Sequence, residues 1–202
     1  MKAENWTFTE PAPVDRNWPG MPVSARTTAI EGNAVPMPDG EVAVILRIDP
    51  LQMPYRSMEQ YNKALLVRQD KNDPEAKLQF DRVIDIPVGL RNKFTIYREP
   101  NGLGYAAMCN EYTEDYQGRG ILTLAVSKDA INWKIAKRIV DVRDDFTHGM
   151  QNVGYSYPDF TFDGDDISVI SRTAANGAKS QHDNNIISFF RIENYKQYFD
   201  IL

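Results

Sequence analysis

Short apolar segments with strand-like alternation recur along the whole chain and are separated by turn sequences. The segments are 41–48, 63–69, 92–97, 103–109, 121–127, 131–140, 166–172 and 185–192, with turns at 38–40, 99–102, 117–120 and 162–166. Only 57–71 and 193–202 could hold a helical turn. The pattern therefore predicts an all-β fold, which could be a sandwich, a barrel or a propeller.

Two local patterns each occur twice in the chain, and the spacing between the copies helps to choose among these architectures. An Asp-Gly turn followed by a strand that ends in arginine occurs at Asp39 to Arg47 and again at Asp163 to Arg172, and an Asn-Trp pair occurs at 5–6 and 132–133. Both separations are about 125 residues, the length of three propeller blades of roughly 40 to 45 residues each. We therefore predict a single β-propeller domain over residues 1–202, with about four to five blades of a six-bladed ring.

Composition and charge argue against several kinds of partner and bound group. The formal net charge is −5, and no basic patch indicates nucleic acid. The apolar runs stop well short of the roughly 18 residues that span a bilayer, so we expect no membrane partner. One cysteine, Cys109, permits neither an internal disulfide nor a cysteine pair for a metal. The aspartates of the 163–166 turn lack the spacing of a calcium loop, so we predict no metal and no cofactor.

Three segments resemble the sialidase (neuraminidase) family. Residues 31–47, EGNAVPMPDGEVAVILR, resemble the stretch in which a catalytic glutamate precedes an Asp-Gly turn and a strand that ends in a substrate-binding arginine. Residues 109–133 place Arg119 before a strand and run into an Asp-box with Ser127, Asp129 and Trp133, but without its usual Gly and Thr. Residues 155–171 resemble the segment that carries the nucleophilic tyrosine, here Tyr157 with Tyr155 as competitor.

The resemblance implies a sialidase-like propeller that binds a glycan and hydrolyses a terminal, anionic sugar. Tyr157 would be the nucleophile and Glu31 its general base, because a phenol with an ordinary pKa near 10 needs a base at neutral pH. Arginines suit a sugar carboxylate because the planar guanidinium donates two parallel hydrogen bonds. The residues predicted to contact the sugar are Arg47, Arg119, Arg172, Asn33, Asp159 and His182.

The resemblance also implies that parts of the family's site lie outside these residues. In the family, the first carboxylate arginine and the general-acid aspartate come from earlier blades, so we expect this chain to lack N-terminal blades. A second copy could then complete the ring as a homo-oligomer. The family context favours an extracytoplasmic, secreted protein of a bacterium, although the N-terminus shows no signal sequence. Two other functions stay open: a non-catalytic glycan-binding propeller, and an incomplete propeller with a structural or interface role.

Overall fold

Eleven antiparallel strands make up almost all of the regular structure. The structure, a computed structural model, describes residues 4, 7–24, 26–51, 58–144 and 152–202. The strands are β1 (Arg26–Pro36), β2 (Val42–Leu51), β3 (Lys63–Arg68), β4 (Gln79–Asp85), β5 (Thr95–Arg98), β6 (Tyr105–Asn110), β7 (Ile121–Ser127), β8 (Trp133–Asp141), β9 (Gly154–Asp163), β10 (Asp166–Ala174) and β11 (Ile186–Ile192). Two short 3-10 helices are described, Met58–Gln60 and Tyr195–Phe199. The predicted all-β class is confirmed.

The strands form three sheets in chain order. The first sheet is β1-β2-β3-β4, the second is β5-β6-β7-β8, and the third is β9-β10-β11. Hairpins connect neighbouring strands, and glycine supplies the positive φ that two of these turns need, at Gly40 (83°) and Gly164 (64°). Each sheet is therefore a local meander that buries its faces against other parts of the chain.

The second sheet lies between the other two and explains the long apolar runs. One apolar core joins it to the first sheet through Ile45, Leu66, Phe94 and Ala107, and another joins it to the third sheet through Met108. Because both faces of β6 and β7 are covered, every residue of these two strands is buried. The outer face of the first sheet is covered by the N-terminal segment, in which Trp18 stacks on Phe80 at 4.7 Å between ring centroids.

The first strands of the three sheets lie next to one another and bring their ends together. β1 contacts β5, and β5 contacts β9. Asn33 Nδ2 of β1 donates to Phe94 O at 3.2 Å, and Ile96 N of β5 donates to Asn33 Oδ1 at 3.1 Å. Thr95 Oγ1 of β5 donates to Pro158 O of β9 at 2.8 Å. Adjacent first strands are the arrangement expected for blades around a common axis.

The number of blades differs from the sequence-based expectation. The described residues form three sheets, whereas four to five blades were predicted, because the first sheet alone extends from Arg26 to Asp85 and so exceeds the roughly 40 to 45 residues assumed for one blade. The repeat of about 125 residues between the Asp-Gly hairpins therefore separates the first sheet from the third, which is two blades and not three. The other repeat begins at Asn5-Trp6, which lies outside the described residues.

Candidate functional site

A polar cavity of about 460 Å³ lies where the three sheets meet. The lining residues are Arg47, Asp49, Arg91, Asn92, Tyr112, Gln117, Gly118, Arg119, Tyr157, Gln181 and His182. They come from β2, from the connections that precede β5 and β7, from β9 and from the loop before β11. The lining contains three arginines, two tyrosines, one histidine and one carboxylate, so the cavity is positively charged although the chain as a whole is acidic.

Arg47 is the most deeply buried of the three arginines. Its side chain is 9% exposed, and its Nη1 lies 2.9 Å from Glu31 Oε2 on the neighbouring strand β1. A second carboxylate, Asp49, lies 3.8 Å from Arg47 Nη2. Among the described residues, neither Arg47 Nε nor Glu31 Oε2 has an aligned hydrogen-bond partner. The ion pair therefore compensates the buried charge of Arg47.

The main-chain carbonyl of Arg91 joins two of the arginines. It accepts a hydrogen bond of 2.9 Å from Arg47 Nη1 and one of 3.2 Å from Arg119 Nη2. Arg91 has a φ of 70°, the left-handed region that non-glycine residues rarely adopt, and its exposed side chain pairs with Asp49 at 3.1 Å. The unusual backbone conformation of Arg91 thus orients its carbonyl between two guanidinium groups.

Arg119 carries the least compensated charge in the cavity. Its Nη1 donates to Ser156 Oγ at 3.3 Å, and in the described part of the chain no carboxylate lies within 4.0 Å of its guanidinium. Burial lowers the pKa of Arg119, because the surroundings disfavour the charged form. Arginine nevertheless stays protonated in proteins, so an anion entering the cavity would meet a cation that no carboxylate of the described residues contacts.

Tyr157 projects from an irregular position in β9. Its φ is 54°, and the pairing of β9 with β10 shifts there, so that Tyr157 and Pro158 lie opposite Ser171 alone. Arg172 stacks over the Tyr157 ring at 4.8 Å and Arg119 lies 5.9 Å from the same ring. The Tyr157 hydroxyl lies 3.4 Å from His182 Nε2. The phenol is therefore surrounded by three cationic or basic side chains.

The loop before β11 is tied to the cavity through Gln181. Its Oε1 accepts from Arg119 N at 3.0 Å, and its Nε2 donates to Tyr116 Oη at 2.8 Å. Ser156 Oγ donates to Gln181 O at 3.3 Å. These bonds fix the backbone next to His182 and hold it near Tyr157, even though His182 itself is exposed.

The residues predicted from the sequence fall into three groups. Arg47, Arg119, Tyr157 and His182 line the cavity. Glu31 and Arg172 are not part of this lining, but Glu31 contacts Arg47 and Arg172 contacts Tyr157. Asn33 and Asp159 are used elsewhere: Asn33 links β1 to β5, and Asp159 Oδ1 accepts from Tyr97 Oη at 3.2 Å.

Several lining residues were not predicted from the sequence, among them Asp49, Arg91, Tyr112 and Gln181. Asp49 follows the predicted strand 41–48, and Gln181 precedes His182, so adjacency to a predicted residue was the available signal. Arg91 contributes through its carbonyl and a rare backbone conformation, which the sequence does not indicate.

The predicted Asp-box segment forms the β7–β8 turn. Asp129 Oδ1 accepts hydrogen bonds from Ile131 N at 2.9 Å and Asn132 N at 2.8 Å, and Ser127 Oγ lies 3.0 Å from the same oxygen. Trp133 packs against the core between the first two sheets. These residues stabilise the β7–β8 turn and the core, and they are not part of the cavity lining.

Two further properties bear on the site. Within residues 4, 7–24, 26–51, 58–144 and 152–202, no group of three or more His, Cys, Asp or Glu side chains is arranged to hold a metal ion. None of the helical segments that the structure describes is long and apolar enough to cross a membrane.

Solved structures share this fold. The chain is similar to an α-L-arabinofuranosidase from Fusarium graminearum in complex with an iminosugar inhibitor, with a TM-score of 0.54 and 10% identity over 94% of this chain and 50% of that chain. It is also similar to the GH93 α-L-arabinofuranosidase of Fusarium graminearum with arabinobiose, with a TM-score of 0.53 and 10% identity over 82% of this chain and 45% of that chain. The chain thus spans about half of each solved structure. No protein-family model and no curated protein matches the sequence.

Fold and site together define the class of this molecule. It is a partial β-propeller of three sheets with an arginine-lined cavity where the sheets meet.

Proposed function

We propose that the chain is part of a carbohydrate-active propeller, and that its cavity holds the carboxylate of a terminal anionic sugar. The observation that carries the proposal is Arg119, a half-buried guanidinium with no carboxylate within 4.0 Å in the described residues. The two solved structures described above hold sugar-like ligands, an iminosugar inhibitor and arabinobiose. A cavity of about 460 Å³ is a suitable size for one monosaccharide unit.

The arginines favour an acidic sugar over a neutral pentose. Burying a cation without an anion is unfavourable, and a bound carboxylate would supply the missing anion through short, charge-assisted hydrogen bonds. Arg119 can donate to such a group through its guanidinium. Tyr112 and Tyr157 offer ring faces to the carbon skeleton of the sugar. Sialic acids and hexuronic acids combine these two features.

Calorimetric titration of the whole chain tests the proposal. We expect N-acetylneuraminic acid or glucuronic acid to bind at least about tenfold more tightly than arabinose, and added salt to weaken this binding. Arg191→Ala is the matched control for Arg119→Ala, because Arg191 is an exposed arginine that pairs with Asp166 at 2.7 Å on the third sheet. Equal binding of acidic and neutral sugars would refute an anion site.

Hydrolysis of the bound sugar is the second candidate function, and the placement of Tyr157 favours it. The phenol lies in the cavity lining with a basic nitrogen 3.4 Å from its hydroxyl. Attack of Tyr157 Oη on the anomeric carbon would break the bond to the leaving group, and the phenolic proton would pass to a base. Water would then attack the same carbon, break its bond to Tyr157 Oη and release the sugar, while the base returns a proton to the phenol. The sequence assigned this base to Glu31, whose carboxylate pairs with Arg47 in this structure, whereas His182 is the basic group in contact with Tyr157.

A further inference from the structure

The outer face of the third sheet is apolar and uncovered. Ile170, Ile187 and Phe189 are 49%, 71% and 65% exposed. Ile170 and Phe189 are directly paired across β10 and β11, and Ile187 pairs with Arg172 in the same ladder. The opposite face of this sheet carries Val169 and Phe160 and is buried against the second sheet. Exposed apolar residues that adjoin one another in this way mark an interaction surface.

The edge of the same sheet is also open. The first and second sheets each have four strands, whereas the third has three, and among the described residues β11 pairs only with β10. Natural edge strands are commonly protected by lysine, proline or a bulge. β11, with the sequence IISFFRI, contains neither lysine nor proline, and its pairing with β10 is regular. This edge can therefore accept another strand.

The N-terminal segment has the sequence of a fourth strand. In the second sheet the outermost strand, β8, begins at Trp133 after Asn132, and the same Asn-Trp pair precedes Thr7 in the sequence. Phe8, in the position of Ile135, is 89% exposed and residues 7–12 have no secondary structure. Pro11 restricts such a strand to an edge, which is where a fourth strand would lie.

A second copy of the chain could cover the apolar outer face of the third sheet and also pair with its open edge at β11. The chain spans about half of the propeller structures that it resembles, and its described residues form three sheets, so two copies would supply six. Residues 14–21 pack on the outer face of the first sheet and Glu10 N donates to Glu75 O at 3.0 Å in the loop before β4, so residues 7–9 leave from that face. If the first sheet of one copy faces the third sheet of the other, this segment reaches β11. The same contact then forms twice, and the dimer is closed by a two-fold axis.

We propose that a second copy packs its first sheet, together with residues 14–21 that cover its outer face, on the outer face of the third sheet, and that the start of its N-terminal segment adds a fourth strand beside β11. This surface excludes the cavity lining, so the dimer and the sugar site are tested separately. Sedimentation velocity of the whole chain should give twice the monomer mass of 23.1 kDa. The double variant Ile187→Ser with Phe189→Ser should sediment as a monomer with an unchanged circular dichroism spectrum. Phe8→Ser should raise the dimer dissociation constant by at least about tenfold.

The matched control is the double variant Ile135→Ser with Ile201→Ser. These two residues are 46% and 43% exposed and lie on the second sheet and at the C-terminus, so the control should remain dimeric. The proposal fails if the unmodified chain sediments as a monomer. In that case a different polypeptide would have to cover the outer face of the third sheet. The proposal also fails if Phe8→Ser, a change outside every sheet, leaves the dissociation constant unchanged.

Discussion

Glu31 and Tyr157 occupy equivalent positions in two hairpins that belong to different sheets. Both have a φ of 54°, and both lie where the first strand of the hairpin bulges. The residue that follows the bulge on the partner strand is an arginine in each case, Arg47 beside Glu31 and Arg172 beside Tyr157. One repeated local structure thus presents a carboxylate in the first sheet and a phenol in the third, each with its own arginine.

Arg119 and Arg47 should differ in what they contribute to stability. Arg119→Ala removes a charge without a carboxylate partner, so we expect the free energy of unfolding to change by at most about 1 kcal/mol. Arg47→Ala leaves the half-buried carboxylate of Glu31 without its cation, so we expect a loss of about 1 to 3 kcal/mol. Urea denaturation measures both values. Equal losses for the two variants would show that Arg119 is compensated after all.

Cleavage of an aryl glycoside of the bound sugar acid should identify the base that serves Tyr157. An aryl oxide leaves without protonation, so this substrate does not need a general acid. Tyr157→Phe should abolish turnover. His182→Gln should lower kcat/KM by roughly 10²- to 10⁴-fold, because glutamine can accept a hydrogen bond but cannot take up the proton.

Two comparisons between variants decide whether His182 or Glu31 is the base for Tyr157. Added imidazole should restore part of the rate of His182→Ala and none of that of Tyr157→Phe. Glu31→Gln should change kcat/KM less than His182→Gln does, because Glu31 pairs with Arg47. If Glu31→Gln abolishes turnover while His182→Gln retains it, the base is Glu31, as the sequence predicted.

Asn33 should prove structural. Its amide bridges Phe94 O and Ile96 N between the first and second sheets. Asn33→Ala should therefore cost about 1 to 3 kcal/mol in the free energy of unfolding and leave the affinity for a sugar acid unchanged. Chemical denaturation and calorimetry on the same preparation give both numbers. A large loss of affinity with wild-type stability would restore Asn33 as a sugar contact.

The pair of Glu99 and Tyr195 should set how stability depends on pH. Burial alone would raise the pKa of Glu99, but hydrogen bonds from Tyr195, Leu103 and Asn101 outweigh it, so the pKa is lowered. Burial and the Glu99 carboxylate raise the pKa of Tyr195 to about 12. The Tyr195 hydroxyl donates to Glu99 Oε1 at 2.5 Å, and both residues are fully buried.

The two shifts act at opposite ends of the pH range. The Glu99 contribution is complete above its unfolded-state pKa and is lost as pH falls through the lower folded-state value. The Tyr195 contribution is complete below its unfolded-state pKa and is lost as pH rises toward 12. Tyr195→Phe should cost about 1.5 to 3 kcal/mol at neutral pH and remove the alkaline loss. Thermal unfolding from acid to alkaline pH checks this, and a parallel shift of the whole curve would contradict it.

The strands that the sequence predicted are those with unbroken apolar patterns. The segment 121–127 coincides with β7, which is buried on both faces. β1 and β9 were missed because Gly32 and Pro158 interrupt their alternation at the two bulges. β4 was missed because it is an outermost, mostly polar strand. The bulges that interrupt the apolar alternation of β1 and β9 are also the positions of Glu31 and Tyr157.

The cavity lining was predictable only in part. Arg47, Arg119 and Tyr157 were selected through family resemblance and His182 through its place beside Asp183, and all four lie in one lining although they are far apart in the chain. Composition alone gave no sign of this local positive charge, because the chain is acidic overall. The role of Arg91 depends on a left-handed backbone and a carbonyl shared by two guanidiniums, which no side-chain pattern encodes.

The central claim is that Arg119 binds the carboxylate of a sugar. A double-mutant cycle tests it most directly, with calorimetric dissociation constants for a sugar acid and its uncharged amide, each measured with the unmodified chain and with Arg119→Ala. We predict that replacing the acid by the amide weakens binding by about tenfold or more in the unmodified chain and by less than about twofold in Arg119→Ala. The same ratio of affinities in both proteins would contradict the claim.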